Sequence, residues 1–287
     1  MGPIYQLAKP ERLLEDHIYF YTHFKSFVPE DECIYLMPST DIKLSFNFAD
    51  CGFIRDIREK DIEPVKTPVH VTLGLQTKRN YDLILKKNTL YDSLVVFFKP
   101  HGFYDIFNIP PANLTDHYFS IEGKVGKELA ELADKLSKLS LLCDQAALLN
   151  NYFIKKIEQI QIRKSAITFA SQSILSSAKT LNLKKLASDC NLSPRHFERV
   201  FKEFVGISAM KLQSINRFET CLKLKERIPQ KKWTNIAFEA GYTDQMHLVR
   251  EFKKLSSLTP SSIHWKSGID GMHWHFLRKL VDVNNNV

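Results

Sequence analysis

The sequence predicts an α+β chain, β-rich at the front and all-helical at the back, and three observations carry that expectation. Up to about Ile109 the apolar residues come in short runs punctuated by prolines, and from Gly123 their period changes to three and four. Between Leu183 and Pro260 one pattern is written twice. Leu186-Ala187 and Ile236-Ala237 stand 50 residues apart and Asn191 meets Gly241 at the same offset, while Arg199, Phe201-Lys202 and Ser208 meet Arg250, Phe252-Lys253 and Thr259 at an offset of 51. Order of this kind marks a duplicated supersecondary unit rather than chance composition.

The front part, residues 1–165, reads first as strands. Ile34–Met37, Ile42–Phe48, Val69–Leu73 and Leu94–Phe98 are short, β-branched or aromatic, and partly alternating, with Pro38, Pro64, Pro68, Pro100, Pro110 and Pro111 between them. Many short strands between turn signals favour a barrel or a sandwich. His17, His23, His70, His101 and His117 are scattered singly, with no H-x-H followed by a carboxylate at ligand spacing, so neither a metal nor another cofactor is expected. A pocket for an apolar small molecule is expected instead, with His101, Phe103 and Tyr104 at its rim; a strand followed by a turn with core aromatics is the plainer account of the same stretch.

Residues 123–162 read as a helical hairpin. Val125, Leu129, Leu132, Leu136 and Leu139 form one apolar stripe, and Ala146, Leu149, Phe153, Ile157 and Ile160 form a second. Both could pack on the strands, but the second is also wide enough for a partner chain, which predicts a homodimer through Leu149 and Phe153. A polar boundary at Arg163-Lys164-Ser165 then separates the front from a second domain at 166–264, and a tail at 265–287 follows. Trp265 and Trp274 in that tail are expected to dock on a short helix, and the His273/His275 pair is read as part of it.

Each copy of the repeat reads as two short helices around a tight turn. Leu183, Leu186, Ala187 and Cys190 give the first helix one buried face, and Asn191 or Gly241 ends it, since these residues tolerate the left-handed conformation. Ser193 and Thr243 can each cap a new helix, and Pro194 suits its first position because its missing N–H would be unpaired there anyway. The second helix buries Phe197, Val200, Phe201 and Phe204 and shows Arg195, His196, Glu198, Arg199 and Lys202 outward. That arrangement is a helix-turn-helix. Between the copies, Ser208 to Ile228 forms one long helix with Leu212, Ile215, Phe218, Cys221 and Leu222 inward, stopped by Pro229.

At this point the chain resembles the AraC/XylS family of bacterial transcription regulators. The string carrying the resemblance is Gly241-Tyr242-Thr243-Asp244, Leu248, Arg250, Phe252-Lys253-Lys254 and Thr259-Pro260, with Ser257, Ala209, Leu248 and Leu212 standing where the family pattern has Gly, Pro, Phe and Tyr. The resemblance implies a cupin-like β-barrel for the front, dimerisation by its helices, and a DNA-binding domain of two helix-turn-helix motifs joined by a long helix. RNA polymerase is a further candidate partner of such a regulator. In the family's mode Arg195, Glu198 and Arg199 would face bases from the first recognition helix and Gln245, His247 and Arg250 from the second, while Lys202, Lys253 and Lys254 would hold phosphates; His196 and Met246 belong to the same DNA-binding set.

Charge agrees. Residues 170–287 carry 19 of the 40 Lys and Arg but only 10 of the 32 Asp and Glu, a net +9 against −1 for the remainder. A polyanion such as double-stranded DNA is the partner that clustered cations suit. The five cysteines form no C-x-x-C pair and the chain shows neither a secretory signal nor a run of about 20 apolar residues, which predicts reduced thiols, a cytoplasmic location and no membrane contact. The expected function is a sequence-specific transcription regulator, not an enzyme, answering to a small-molecule effector. The competing class is an enzyme of the cupin-like barrel class carrying a DNA-binding appendage; G-x-S-x-G, H-E-x-x-H and phosphate-loop patterns are all missing from the sequence.

Overall fold

The computed structural model describes residues 4–49, 52–57, 71–116, 118–119, 123–159, 166–177 and 180–262. The tail with Trp265, His273, Trp274 and His275 lies outside them, as do His70, His117 and Ile160.

Among the described residues, nine strands form two antiparallel sheets. β1 (Ile4–Ala8), β2 (Ile18–Val28), β4 (Ile42–Asn47), β6 (Val71–Gly74), β8 (Thr89–Phe98) and β9 (Tyr118–Phe119) make a six-stranded sheet in the order β1-β2-β8-β4-β6-β9. β3 (Glu32–Tyr35), β7 (Tyr81–Leu85) and β5 (Gly52–Asp56) make a three-stranded sheet in the order β3-β7-β5. In β4 the side chains alternate as a half-buried strand requires, with Ile42, Leu44 and Phe46 buried and Lys43, Ser45 and Asn47 partly exposed. β8 differs. Leu94, Val96 and Phe98 fill the main core on one face, and Val95 and Phe97 pack with Phe20 on the other, so its whole second half is apolar.

Helices cover the core-facing side. Phe98 meets Phe103 and Phe107 of α1 (Gly102–Phe107) and Phe153 of α3 (Leu142–Gln159) edge to face, with ring centroids 5.8, 6.1 and 5.5 Å apart. α2 (Gly123–Ser137) completes the expected hairpin and buries Leu129, Leu132 and Leu136. Leu149 and Phe153 are fully buried against the sheet. The second stripe is therefore internal packing, and the expected use of these two residues as a dimer contact is corrected: no partner chain can reach them.

The back of the chain is all helix: α4 (Ala166–Ser176), α5 (Leu183–Asp189), α6 (Pro194–Val205), α7 (Ala209–Arg227), α8 (Trp233–Glu239) and α9 (Gln245–Ser256). α7 is the expected long connector, capped by Ser208, with Leu212, Ile215, Phe218, Cys221 and Leu222 fully buried. Cys143, Cys190 and Cys221 are free thiols. Front and back share one continuous apolar cluster running from Leu14 to Leu255. No helix among the described residues is long and apolar enough to cross a membrane.

Candidate nucleic-acid interface

The two copies of the repeat are built by the same bonds. Asn191 and Gly241 both take the left-handed conformation, at φ 55° and 80°, so the chain can reverse within the turn. The Leu192 N–H then donates to the Ala187 carbonyl at 3.0 Å, and the Tyr242 N–H donates to the Ala237 carbonyl at 2.9 Å. Next the offset grows by one. Ser193 caps α6 by accepting the His196 N–H, and Asp244, not Thr243, caps α9 by accepting the His247 N–H at 2.7 Å. The second turn holds one extra residue, which is why the sequence offset steps from 50 to 51 and why the expected Thr243 cap moves along by one. Both recognition helices also end alike, since Gly206 and Ser257 turn left-handed and donate their N–H groups to Lys202 and Lys253 carbonyls, each at 2.9 Å.

With Phe197 and Phe201 of α6 and Leu248 and Phe252 of α9 buried, the opposite faces are fixed outward. Arg195, His196, Glu198, Arg199 and Lys202 are exposed on α6, as are Gln245, Met246, Arg250, Lys253 and Lys254 on α9. The two faces are not equally free. Arg199 stands 3.6 Å from Glu203 in an exposed pair, which holds it weakly. On α9, Gln245 accepts the Thr234 hydroxyl at 2.7 Å, and half-buried His247 bonds Thr243 Oγ1 at 3.1 Å with its ring edge-on to Tyr242. The second face is more pre-shaped than the first. Behind it, Glu251 accepts from Ser214 at 2.6 Å and from Arg217 at 2.8 and 3.0 Å, locking α9 to α7. Burial alone would raise the Glu251 carboxyl, but those hydrogen bonds and the guanidinium charge outweigh it and hold the group below its ordinary value.

Residues 186–264, taking in both copies, match the family model described as a helix-turn-helix domain. Residues 186–264 are a helix-turn-helix domain. The HTH-type transcriptional regulator GlxA of Rhizobium meliloti (strain 1021) is 29% identical over 90 residues, which span 31% of this chain and 28% of that protein. The chain thus covers less than a third of the length of that relative. Among solved structures, ToxT from Vibrio cholerae O395 aligns over 84% of this chain and 95% of its own at 10% identity, with a TM-score of 0.45. The AraC-like transcriptional activator CuxR aligns over 69% and 80% at 10% identity, with a TM-score of 0.30.

The front of the chain grips the helix-turn-helix domain behind both recognition helices. Tyr104 of α1 stacks on Phe204 of α6 with centroids 4.1 Å apart, and the Thr115 hydroxyl donates to the Gly206 carbonyl at 3.1 Å. The Arg79 N–H donates to the carbonyl of Leu255 in α9 at 2.7 Å. The three residues expected at a ligand rim have protein partners of their own. Phe103 packs in the front core, His101 is fully buried and bonds Ser171 of α4 at 2.9 Å, and Tyr104 is taken up by Phe204. A pocket does open nearby, lined by Tyr19, Thr40 and Lys99 from the front and by Asn216, Glu219 and Lys223 of α7. Burial lowers the Lys99 ammonium from its ordinary value. Histidines expected to stand singly also converge, because His17 and His101 both approach Asp105.

Proposed function

We propose that this chain is a sequence-specific DNA-binding transcription regulator whose front domain, residues 1–165, reports to a reading domain at 166–264. The observation that supports this most is the pair of recognition helices with matching turns, whose outward faces carry Arg195, Arg199, Lys202, Arg250, Lys253 and Lys254. Two such helices set on one connector suit successive major grooves, about 34 Å apart along B-form DNA. Arginine can grip guanine bidentately and glutamine adenine, while lysine serves as a point charge for phosphate. The pocket between Lys99 and Lys223 is the best place for a small-molecule effector, because its walls belong to both domains and a ligand there would alter how they dock. A homodimer built on the hairpin would use its outer side around Glu131, Lys135 and Lys155, since Leu149 and Phe153 are internal. The deciding experiment selects bound fragments from a random DNA pool and then competes the selected site against scrambled DNA at fixed salt. Equal affinity for both would leave an architectural binder instead.

A further inference from the structure

Three buried side chains unused by a DNA contact meet where the front domain touches α4. His17 Nδ1 lies 3.0 Å from Asp105 Oδ2, and His101 Nε2 lies 3.9 Å from the same oxygen. One donor atom from each residue falls within 4.8 Å of the other two, and none of the three residues is more than 8% exposed. The backbone is shaped for this convergence. A Cβ on Gly102 would lie 1.9 Å from the His17 carbonyl oxygen, so only glycine lets α1 start hard against the segment before β2. The Lys99 N–H donates to that same carbonyl at 2.8 Å and ties the two segments together.

We propose that His17, His101 and Asp105 bind a divalent transition-metal ion of the zinc class, with the Asp16 carbonyl oxygen completing the set. Donor atoms held at about 2.0–2.2 Å from such an ion lie about 3–3.6 Å from one another, so the donors, 3.0 and 3.9 Å from Asp105 Oδ2 and all within 4.8 Å of one another, would have to draw together on binding. Two imidazoles and a carboxylate select this class over calcium or magnesium, which take oxygen donors. His101 is held on both sides. Its Nδ1 lies 2.9 Å from Ser171 Oγ, and its Nε2 lies 3.0 Å from the Asp16 carbonyl oxygen, which can only accept, so Nε2–H donates there and would give up that proton on binding a cation.

Ser171 belongs to α4 of the reading domain and is a positioning residue, since it would orient a liganded His101 from across the domain boundary. The ion would therefore pin the front domain to α4. Metal retention is measured without DNA, so failure of the site and failure of the DNA-binding proposal are distinguishable.

The test uses the full chain, stripped with chelator and dialysed against zinc or cobalt(II). One equivalent of zinc should be retained, cobalt should show the visible bands of an ordered nitrogen–oxygen site, and zinc should raise the melting temperature. His17→Gln and Asp105→Asn should abolish all three, and Ser171→Ala should weaken zinc binding by about 10–100-fold. The amide introduced by Asp105→Asn can still bond His17, so loss of zinc with an unchanged metal-free melting curve isolates the ligand role. His23→Ala and a His273→Ala/His275→Ala double variant should retain the ion. No stoichiometric zinc, retention unaffected by His17→Gln and Asp105→Asn, or loss in the His273→Ala/His275→Ala variant would each overturn the proposal.

Discussion

The carboxylate of Glu219 on α7 accepts the backbone N–H of Thr40 at 2.8 Å, and both residues are 1% exposed. The Thr40 hydroxyl reaches the same carboxylate at 3.2 Å. A side chain of the connector between the two reading heads is thus committed to the front domain. Glu219→Ala should cost about 1–3 kcal/mol, the usual penalty for stripping a buried donor of its acceptor, and Glu219→Gln should cost less because an acceptor oxygen remains. Thermal unfolding of the full chain measures both. Equal losses would mean that the charge, not the acceptor, holds the domains together.

The two helix ends at Gly206 and Ser257 share a left-handed conformation but not a residue type. Left-handed backbone costs a residue with a Cβ about 1–2 kcal/mol, which glycine avoids. Ser257→Gly should therefore stabilise the chain by about 1 kcal/mol. Gly206→Ala should do the opposite and more, because its Cβ would also stand 3.0 Å from the Pro111 carbonyl group of the front domain. Urea unfolding of the pair tests this, and a destabilising Ser257→Gly would show that the serine side chain has a role the backbone does not explain.

Much of the back half is legible in the sequence because its elements are fixed locally. Asn191 and Gly241 announce their own φ values, Pro194 and Ser193 announce a helix start, and the spacing of Phe197 and Phe201 sets the buried face. The cap on α9 reads as Thr243 in the sequence because Thr and Asp can both cap by type, and the decision lies in a one-residue insertion. The front half is less legible. β2 is the longest described strand, yet His23 and Lys25 break its apolar pattern, and their reason is Asp92 of β8, 2.7 Å from each. α1 is hidden inside an aromatic run whose helix needs only six residues and a glycine contact with His17. The stripe of Leu149 and Phe153 shows a general limit: periodicity reveals that a face is buried, not what buries it.

Phe201 and Phe252 occupy matching places in the two heads and are 0% and 1% exposed. Phe252 rests on Phe218 and Trp233, with centroids 4.8 and 6.1 Å away, and Phe201 on Phe197 at 5.5 Å. Truncating either to alanine should cost about 3–5 kcal/mol through lost transfer energy and the cavity left behind. Urea unfolding measures the loss, and a cost below about 1 kcal/mol would remove that residue from the core.

Glu251 makes the second head sensitive to acid. Its carboxyl is depressed in the folded chain, so its contribution is fully present above the ordinary carboxylate range and is lost as pH falls through the folded value. Glu251→Gln should lower stability at pH 7 and flatten the loss on acidification. Comparing wild type and variant by urea unfolding between pH 7 and pH 3 checks the sign; parallel curves would place the acid-sensitive group elsewhere.

On the proposed reading, the faces of α6 and α9 should divide the DNA work unequally. Among the described residues Arg199 pairs with Glu203 in an exposed contact, so it can swing onto a base edge at little cost, whereas Gln245 and His247 on α9 are already bonded to Thr234 and Thr243. Arg199→Ala should remove about 1–3 kcal/mol of binding to the selected site and relax base preference in one half of it. Arg250→Ala should do the same more weakly in the other half. Lys202→Ala should instead weaken all sequences alike and reduce the slope of log affinity against log salt by about 0.9, the signature of one lost phosphate contact. Binding of each variant to the selected site and to scrambled DNA across several salt concentrations separates these roles. If Arg199→Ala lowers both affinities equally, Arg199 is another phosphate clamp, and sequence discrimination must lie with the pre-bonded face of α9.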